Sequence, residues 1–122
     1  MGTGCSFYEA TFANAWTYWD LTSNTFSLGA HWMDYPDLST GKNYLYVSTD
    51  PGGGGLTVRI PLSQIAAATT LVMDYLNAAG GYPSRVTRNT GTEAFWAVHY
   101  NSSQMTVFSW AEGSNLIYSR NV

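Results

Sequence analysis

SQIAAATTLVMDYLNAA, residues 63–79, carries apolar side chains at Ile65, Ala68, Val72, Tyr75, Leu76 and Ala79. Intervals of mostly three and four residues put those positions on one face of a helix. Gly80–Gly81 supplies the left-handed stop such a helix needs, and Ser63 has the side chain of an N-cap. The spacing therefore predicts a helix over 63–79. On both sides of it the chain is short, alternating, aromatic and β-branched, which is the grammar of strands. The order is strands, one helix, strands.

Before the helix, Phe7–Phe12 and Ala15–Leu21 read as strands, and Thr25–Trp32 alternates with Phe26, Leu28, Ala30 and Trp32 on one face. Thr22–Ser23–Asn24 is turn-forming, so Asp20–Trp32 is expected to be a hairpin. Asp34–Gly41 reads as a loop around Pro36. Tyr44–Ser48 is apolar on both faces and so central. Asp50–Pro51 opens a run of glycines, Gly52–Gly55, expected to be a mobile hairpin loop. Leu56–Ile60 follows with Leu56, Val58 and Ile60 inward and Thr57 and Arg59 outward.

After the helix, Pro83 breaks the chain, and Ser84–Arg88 is a short exposed strand candidate. Glu93–Tyr100, Gln104–Trp110 and Asn115–Arg120 form a meander, because connections this short force antiparallel neighbours. The fold class expected is α+β. A curved antiparallel sheet of seven to eight strands, bending toward a half-barrel, has the helix packed on one face. A chain of 122 residues forms this as a single domain, residues 1–122.

Composition narrows the chemistry. The chain is 45% hydrophobic and 16% aromatic but only 11% charged, so Ser, Thr, Asn and Gly must keep it in solution. Net charge is −3, with a single lysine, Lys42, and arginine only at Arg59, Arg85, Arg88 and Arg120. So little basic charge disfavours nucleic acid as a partner. One cysteine, Cys5, excludes an internal disulfide, and two distant histidines leave a Cys/His zinc site short of ligands. No metal and no cofactor is expected. No segment has membrane-span length and no signal peptide is visible, so no membrane partner is expected and cytoplasmic residence is the default.

No catalytic motif occurs, and the expectation is a protein that is not an enzyme. The Gly52–Gly55 run lacks the helix and Lys-Ser/Thr pair of a phosphate loop. Asp34, Asp37 and Asp50 fall near comparable strand ends. They are candidates for an acidic contact patch, although turn-forming carboxylates have the same pattern. His31 or His99 beside a carboxylate would make a small acid–base enzyme, and a surface histidine reads identically. The best candidates for gripping a partner or planar ligand are aromatic: Trp16, Tyr18, Trp19, Trp32, Tyr35, Trp96 and Trp110. Packed in a core, the same rings would have no such role. Open strand edges also allow a homodimer.

Between Asp34 and Arg88 the chain resembles a widespread family of immunity proteins that protect against bacterial polymorphic toxins. The resemblance runs through Tyr35-Pro36-Asp37-Leu38, Tyr46-Val47-Ser48 and the Gly52–Gly55 run. It continues through Tyr75-Leu76-Asn77-Ala78-Ala79-Gly80-Gly81 and closes on Pro83-Ser84-Arg85-Val86-Thr87. Arg88 stands where the family usually has Trp, and Asn89–Val122 has no counterpart. The resemblance implies a non-catalytic, cytoplasmic inhibitor that docks on a nuclease or deaminase toxin and covers its active site. The alternative class is a small-ligand binder that sequesters a nucleotide-like or apolar molecule, as phage anti-defence sponges do.

Overall fold

The computed structural model describes residues 2–3 and 17–122. The strand expected over Phe7–Phe12, the first part of the one expected over Ala15–Leu21, and Trp16 lie outside them. A short pair, β1 (Gly2–Thr3) with β2 (Trp19–Asp20), is followed by β3 (Met33–Thr40), β4 (Tyr44–Pro51) and β5 (Gly54–Pro61). Then come α1 (Leu62–Ala66), β6 (Asp74–Ala79), β7 (Tyr82–Val86), β8 (Glu93–Asn101), β9 (Gln104–Ala111) and β10 (Ile117–Asn121). The long strands form two antiparallel four-stranded sheets, β3-β4-β5-β6 and β7-β8-β9-β10, rather than one sheet of seven to eight strands or a half-barrel. The turn Gly80–Gly81 carries the chain from one sheet to the other.

The two sheets stack face to face. Tyr46 and Ala78 from the first meet Val86, Ala94, Trp96, Val98, Phe108 and Trp110 from the second in one buried cluster. Burying an apolar side chain of this size contributes roughly 1.5–3 kcal/mol. The first sheet is buried on its other face as well. There Val47, Leu56, Val58 and Ile60 pack under Leu21 and Phe26, with Leu28, Met33, Ile65, Leu71 and Met73 at the margin. The central place expected for Tyr44–Ser48 is what β4 has, between β3 and β5.

The expected helix over 63–79 shrinks to the five residues of α1. Its N-cap is Pro61, with no side-chain hydrogen bond, and not Ser63. Ala68 turns left-handed at φ 52°, and the Gln64 side chain accepts the Val72 N–H at 2.7 Å, which holds the following loop. The remainder, Asp74–Ala79, is strand β6. An isolated helix of this length is marginal, whereas β5 offers a full ladder of backbone partners. Leu76 and Ala78 face the second sheet, and Tyr75 points the other way to meet Phe26 edge-on at 5.1 Å. A period of two was hidden inside a period of three to four.

Two further expectations are reversed. Asp34–Gly41 is not a loop but mostly β3, whose register shifts between Asp34 and Asp37. Tyr35, at φ 51°, and Pro36 occupy that bulge, where an edge strand tolerates a residue without N–H. Conversely, no hairpin spans Asp20–Trp32. Ser23–Phe26 is a 3-10 turn, closed by reciprocal bonds between Thr22 and Thr25. Local capping outcompetes the strand there.

Gly52–Gly53 form only the tip of the β4–β5 hairpin. Gly54 and Gly55 lie inside β5 and are buried, so this half of the run is no mobile loop. A Cβ on Gly55 would come within 2.6 Å of Ser84 Cβ and 2.9 Å of the Gly81 carbonyl. The run therefore allows β5 to approach β7. Ser84, expected in an exposed strand, is fully buried there and shares a 2.6 Å hydrogen bond with Thr57.

Thr57 and Arg59 also depart from expectation, since both point inward, between the sheets. Arg59 is 2% exposed and lies between two rings, 4.6 Å from the Tyr44 centroid and 4.2 Å from that of Trp110. It donates to the carbonyls of Ala111 (3.2 Å) and Ser114 (2.9 Å), to Asn115 Oδ1 (3.2 Å) and to Asp74 Oδ2 (2.8 Å). A buried guanidinium is tolerated only when so supplied.

Candidate functional site

In the second sheet, unlike the first, one side is left uncovered by any of the described residues. In β8, Ala94, Trp96 and Val98 point into the core, so the pleat turns Phe95, Ala97 and His99 outward. In β9 the inward set is Thr106, Phe108 and Trp110, leaving Met105, Val107 and Ser109 outward. Register then fixes the neighbours. Tyr118 lies opposite Ser109 and Arg120 opposite Val107, while Arg85 lies opposite Ala97 and Tyr82 opposite His99. A hydrogen bond of 2.7 Å from Thr106 Oγ1 to Asn121 Oδ1 confirms that Asn121 faces in and Arg120 out.

The result is three cross-strand rows: Phe95–Ser109–Tyr118, Arg85–Ala97–Val107–Arg120, and Tyr82–His99–Met105–Val122. Phe95 remains 43% exposed and Tyr118 63%. Tyr82, Met105 and Val122 are exposed in the same rows, so the outward side is rich in apolar surface, as contact sites often are. Among the described residues two acids lie near these rows: Glu93, half-buried at their margin, and Asp50, which holds Arg85 at the β7 edge at 3.2 Å.

The residues singled out from the sequence do not converge. Trp96 and Trp110 are buried in the core, where Trp96 stacks on Phe108 at 5.3 Å, so neither is available to a partner. Asp37 pairs with Arg88 at 2.6 Å and Asp50 with Arg85 at 3.2 Å. Asp50 also accepts the Ser84 N–H at 3.0 Å. These two carboxylates tie the sheets together, which dissolves the acidic patch and leaves Asp34 exposed by itself on β3. Trp19 is half-buried, its indole N–H donating to the Thr69 carbonyl at 2.9 Å. Tyr18, Tyr35 and Trp32 are exposed, Trp32 at 84%. Trp32 borders an open depression of about 560 Å³ with Leu21, Thr22 and His31.

Sequence reasoning missed Phe95, Val107, Tyr118 and Arg120. The signal was present in EAFWAVHY: once Trp96 is inward, Phe95 must face out, and an apolar residue at an outward position asks for a partner.

His99 meets the Tyr82 ring edge-on at 6.3 Å, and His31 lies against Gly52 beside a cavity of about 250 Å³. All three ion pairs among the described residues use arginine, and neither histidine pairs with a carboxylate. No three His, Cys, Asp or Glu among the described residues gather as a metal site would require. Burial, reinforced by the Glu112 carboxylate, pushes the Tyr46 hydroxyl up to about 12 against the pull of Arg59. Glu112 itself is held by the Asn43 backbone N–H (3.0 Å) and side-chain amide (2.8 Å), which clamps the β3–β4 turn.

No family model, no curated protein and no solved structure matches the chain. No helix among the described residues is long and apolar enough to cross a membrane.

Proposed function

We propose that the chain is a binding protein without catalytic function, which seats a folded protein partner on the open face of β7–β10 and thereby blocks it. The observation that carries this is the composition of that face: Phe, Tyr, Met and Arg outward in register on a rigid sheet. Those residue types are enriched at contact surfaces and dominate their energetics. Blocking a toxin, of the nuclease or deaminase type, is the form of the activity that the resemblance over Asp34–Arg88 favours.

The test is comparative capture from the native host with the full chain and with a Phe95→Glu/Tyr118→Glu variant. Both substituted positions are solvent-facing, so melting temperatures should agree within a few degrees. A specific partner retained by the parent and lost by the variant is expected. That partner, expressed alone, should arrest growth, and co-expression of the parent chain should relieve the arrest. Equal capture by both proteins would refute the face, and a harmless partner would refute the toxin reading.

A small-ligand reading is favoured by one observation, Trp32 standing free at the rim of the open depression it shares with His31. A planar nucleotide-like molecule stacked there would raise the melting temperature in proportion to its occupancy, and Trp32→Ala would abolish the shift.

A further inference from the structure

The open face also specifies the charge of what it holds. Arg59, Arg85 and Arg88 each pair with an aspartate, whereas Arg120 has neither ion pair nor side-chain hydrogen bond among the described residues. It stands exposed in the middle row, beside Val107 and one residue pair from Tyr118. The chain as a whole carries −3, so this is a locally cationic, apolar spot on an acidic protein. Covering an unpaired guanidinium without a counter-charge is costly, and supplying one makes it an anchor.

A second copy of the chain is a poor occupant. In a face-to-face pair the two-fold axis lies between the sheets, and the two placements that keep the rows aligned run across the strands or along them. Across the strands, through the middle row, it sets one Arg120 against the other, opposing like charges. Along the strands, between β8 and β9, it sets Arg120 against Arg85 of the second copy, whose carboxylate partner Asp50 is already engaged. Neither placement offers Arg120 a free carboxylate.

Building on the binding reading above, we infer that the partner is a protein presenting a carboxylate within an apolar surface, and that the carboxylate seats on Arg120 between Tyr118 and Val107. Arg120 supplies specificity and steering, and the apolar rows supply contact area.

Two probes of one shape test this on the full chain. 3-Phenylpropanoate and 3-phenylpropylammonium differ only in the sign of their charge. Amide shifts of the ¹⁵N-labelled protein should move at Val107, Tyr118 and Arg120 with the carboxylate probe. The ammonium probe should bind roughly two- to fivefold more weakly, the range for an exposed ion pair. Arg120→Gln should erase that preference and Arg120→Glu should reverse it, with the rest of the spectrum unchanged. Equal binding of both probes at the face would overturn the charge inference and leave the binding reading standing. No shift on the face, or shifts elsewhere, would overturn the inference, while the capture experiment decides the wider reading separately. Sedimentation of the free protein should show a monomer; a dimer that Tyr118→Glu dissociates would make a second copy the occupant and end the proposal.

Discussion

Replacing Arg59 by lysine tests what holds the two sheets in register at their Trp110 end. The guanidinium serves four acceptors and lies against two rings, and its planar fork reaches them from two nitrogens at once. An ammonium group is a point donor and cannot span both sets. Arg59→Lys should strand about two acceptors, at about 1–3 kcal/mol each, and weaken the cation–π contact with Trp110. The expected loss is about 3 kcal/mol. With a urea slope of about 2 kcal/mol/M, the unfolding midpoint should fall by about 1.5 M. Asp74→Asn is the discriminating companion. Asp74 is 52% exposed, so its pairing with Arg59 is screened and should be worth under about 1 kcal/mol. Urea titrations followed by tryptophan fluorescence measure both. If Asp74→Asn costs as much as Arg59→Lys, the ion pair and not the ring-and-carbonyl cage holds the site, and the reasoning fails.

Gly55→Ala should destabilise by about 2–3 kcal/mol in the same titration, because the new methyl group has no room between Ser84 and the Gly81 carbonyl. Gly113→Ala, where a Cβ meets nothing within 4 Å, should be neutral beside it. Tyr46 makes stability depend on alkaline pH. Its folded pKa is about 12 against an ordinary 10.0, so the neutral form is the one the fold favours. Stability from this group is full below pH 10 and is lost as pH rises from about 10 through about 12, by on the order of 2–3 kcal/mol. Tyr46→Phe should remove that slope. At neutral pH it should change stability by under about 1 kcal/mol, since the hydroxyl has no hydrogen-bond partner among the described residues.

The meander β8–β9–β10 was legible in the sequence because its alternation, its short turns and its β-branched content agree with one another. β4 was legible as a central strand because it is apolar on both faces. The helix was misjudged because Ile65, Ala68, Val72, Tyr75 and Ala79 satisfy a helical spacing while Leu76 and Ala78 satisfy a strand, and only the vacant edge of β5 decides between them. β3 was hidden by Pro36, whose interruption the bulge absorbs. The number of sheets was illegible altogether, since nothing local records that Gly80–Gly81 turns the chain onto a second layer.

At the site, the aromatic residues chosen for their size proved to be core where they were largest, as at Trp96 and Trp110. Asp37 and Asp50 were chosen for their charge, but their arginine partners lie dozens of residues away in the chain. The exposed face was readable only after the inward set of β8 was known, because outward is defined by contrast.

From β3 onward every ladder joins strands that are consecutive in the chain, and the single place where consecutive strands fail to pair is the step from β6 to β7. Each half can zip up from its own hairpins before meeting the other, so little loop-closure entropy stands in the way of backbone pairing. What remains is the collision of two preassembled leaves, in which Tyr46, Trp96 and Trp110 lose their water together. Such a molecule should acquire its hydrogen-bonded skeleton early and its dry interior late. A nick at Gly80–Gly81 should yield two pieces that recognise each other.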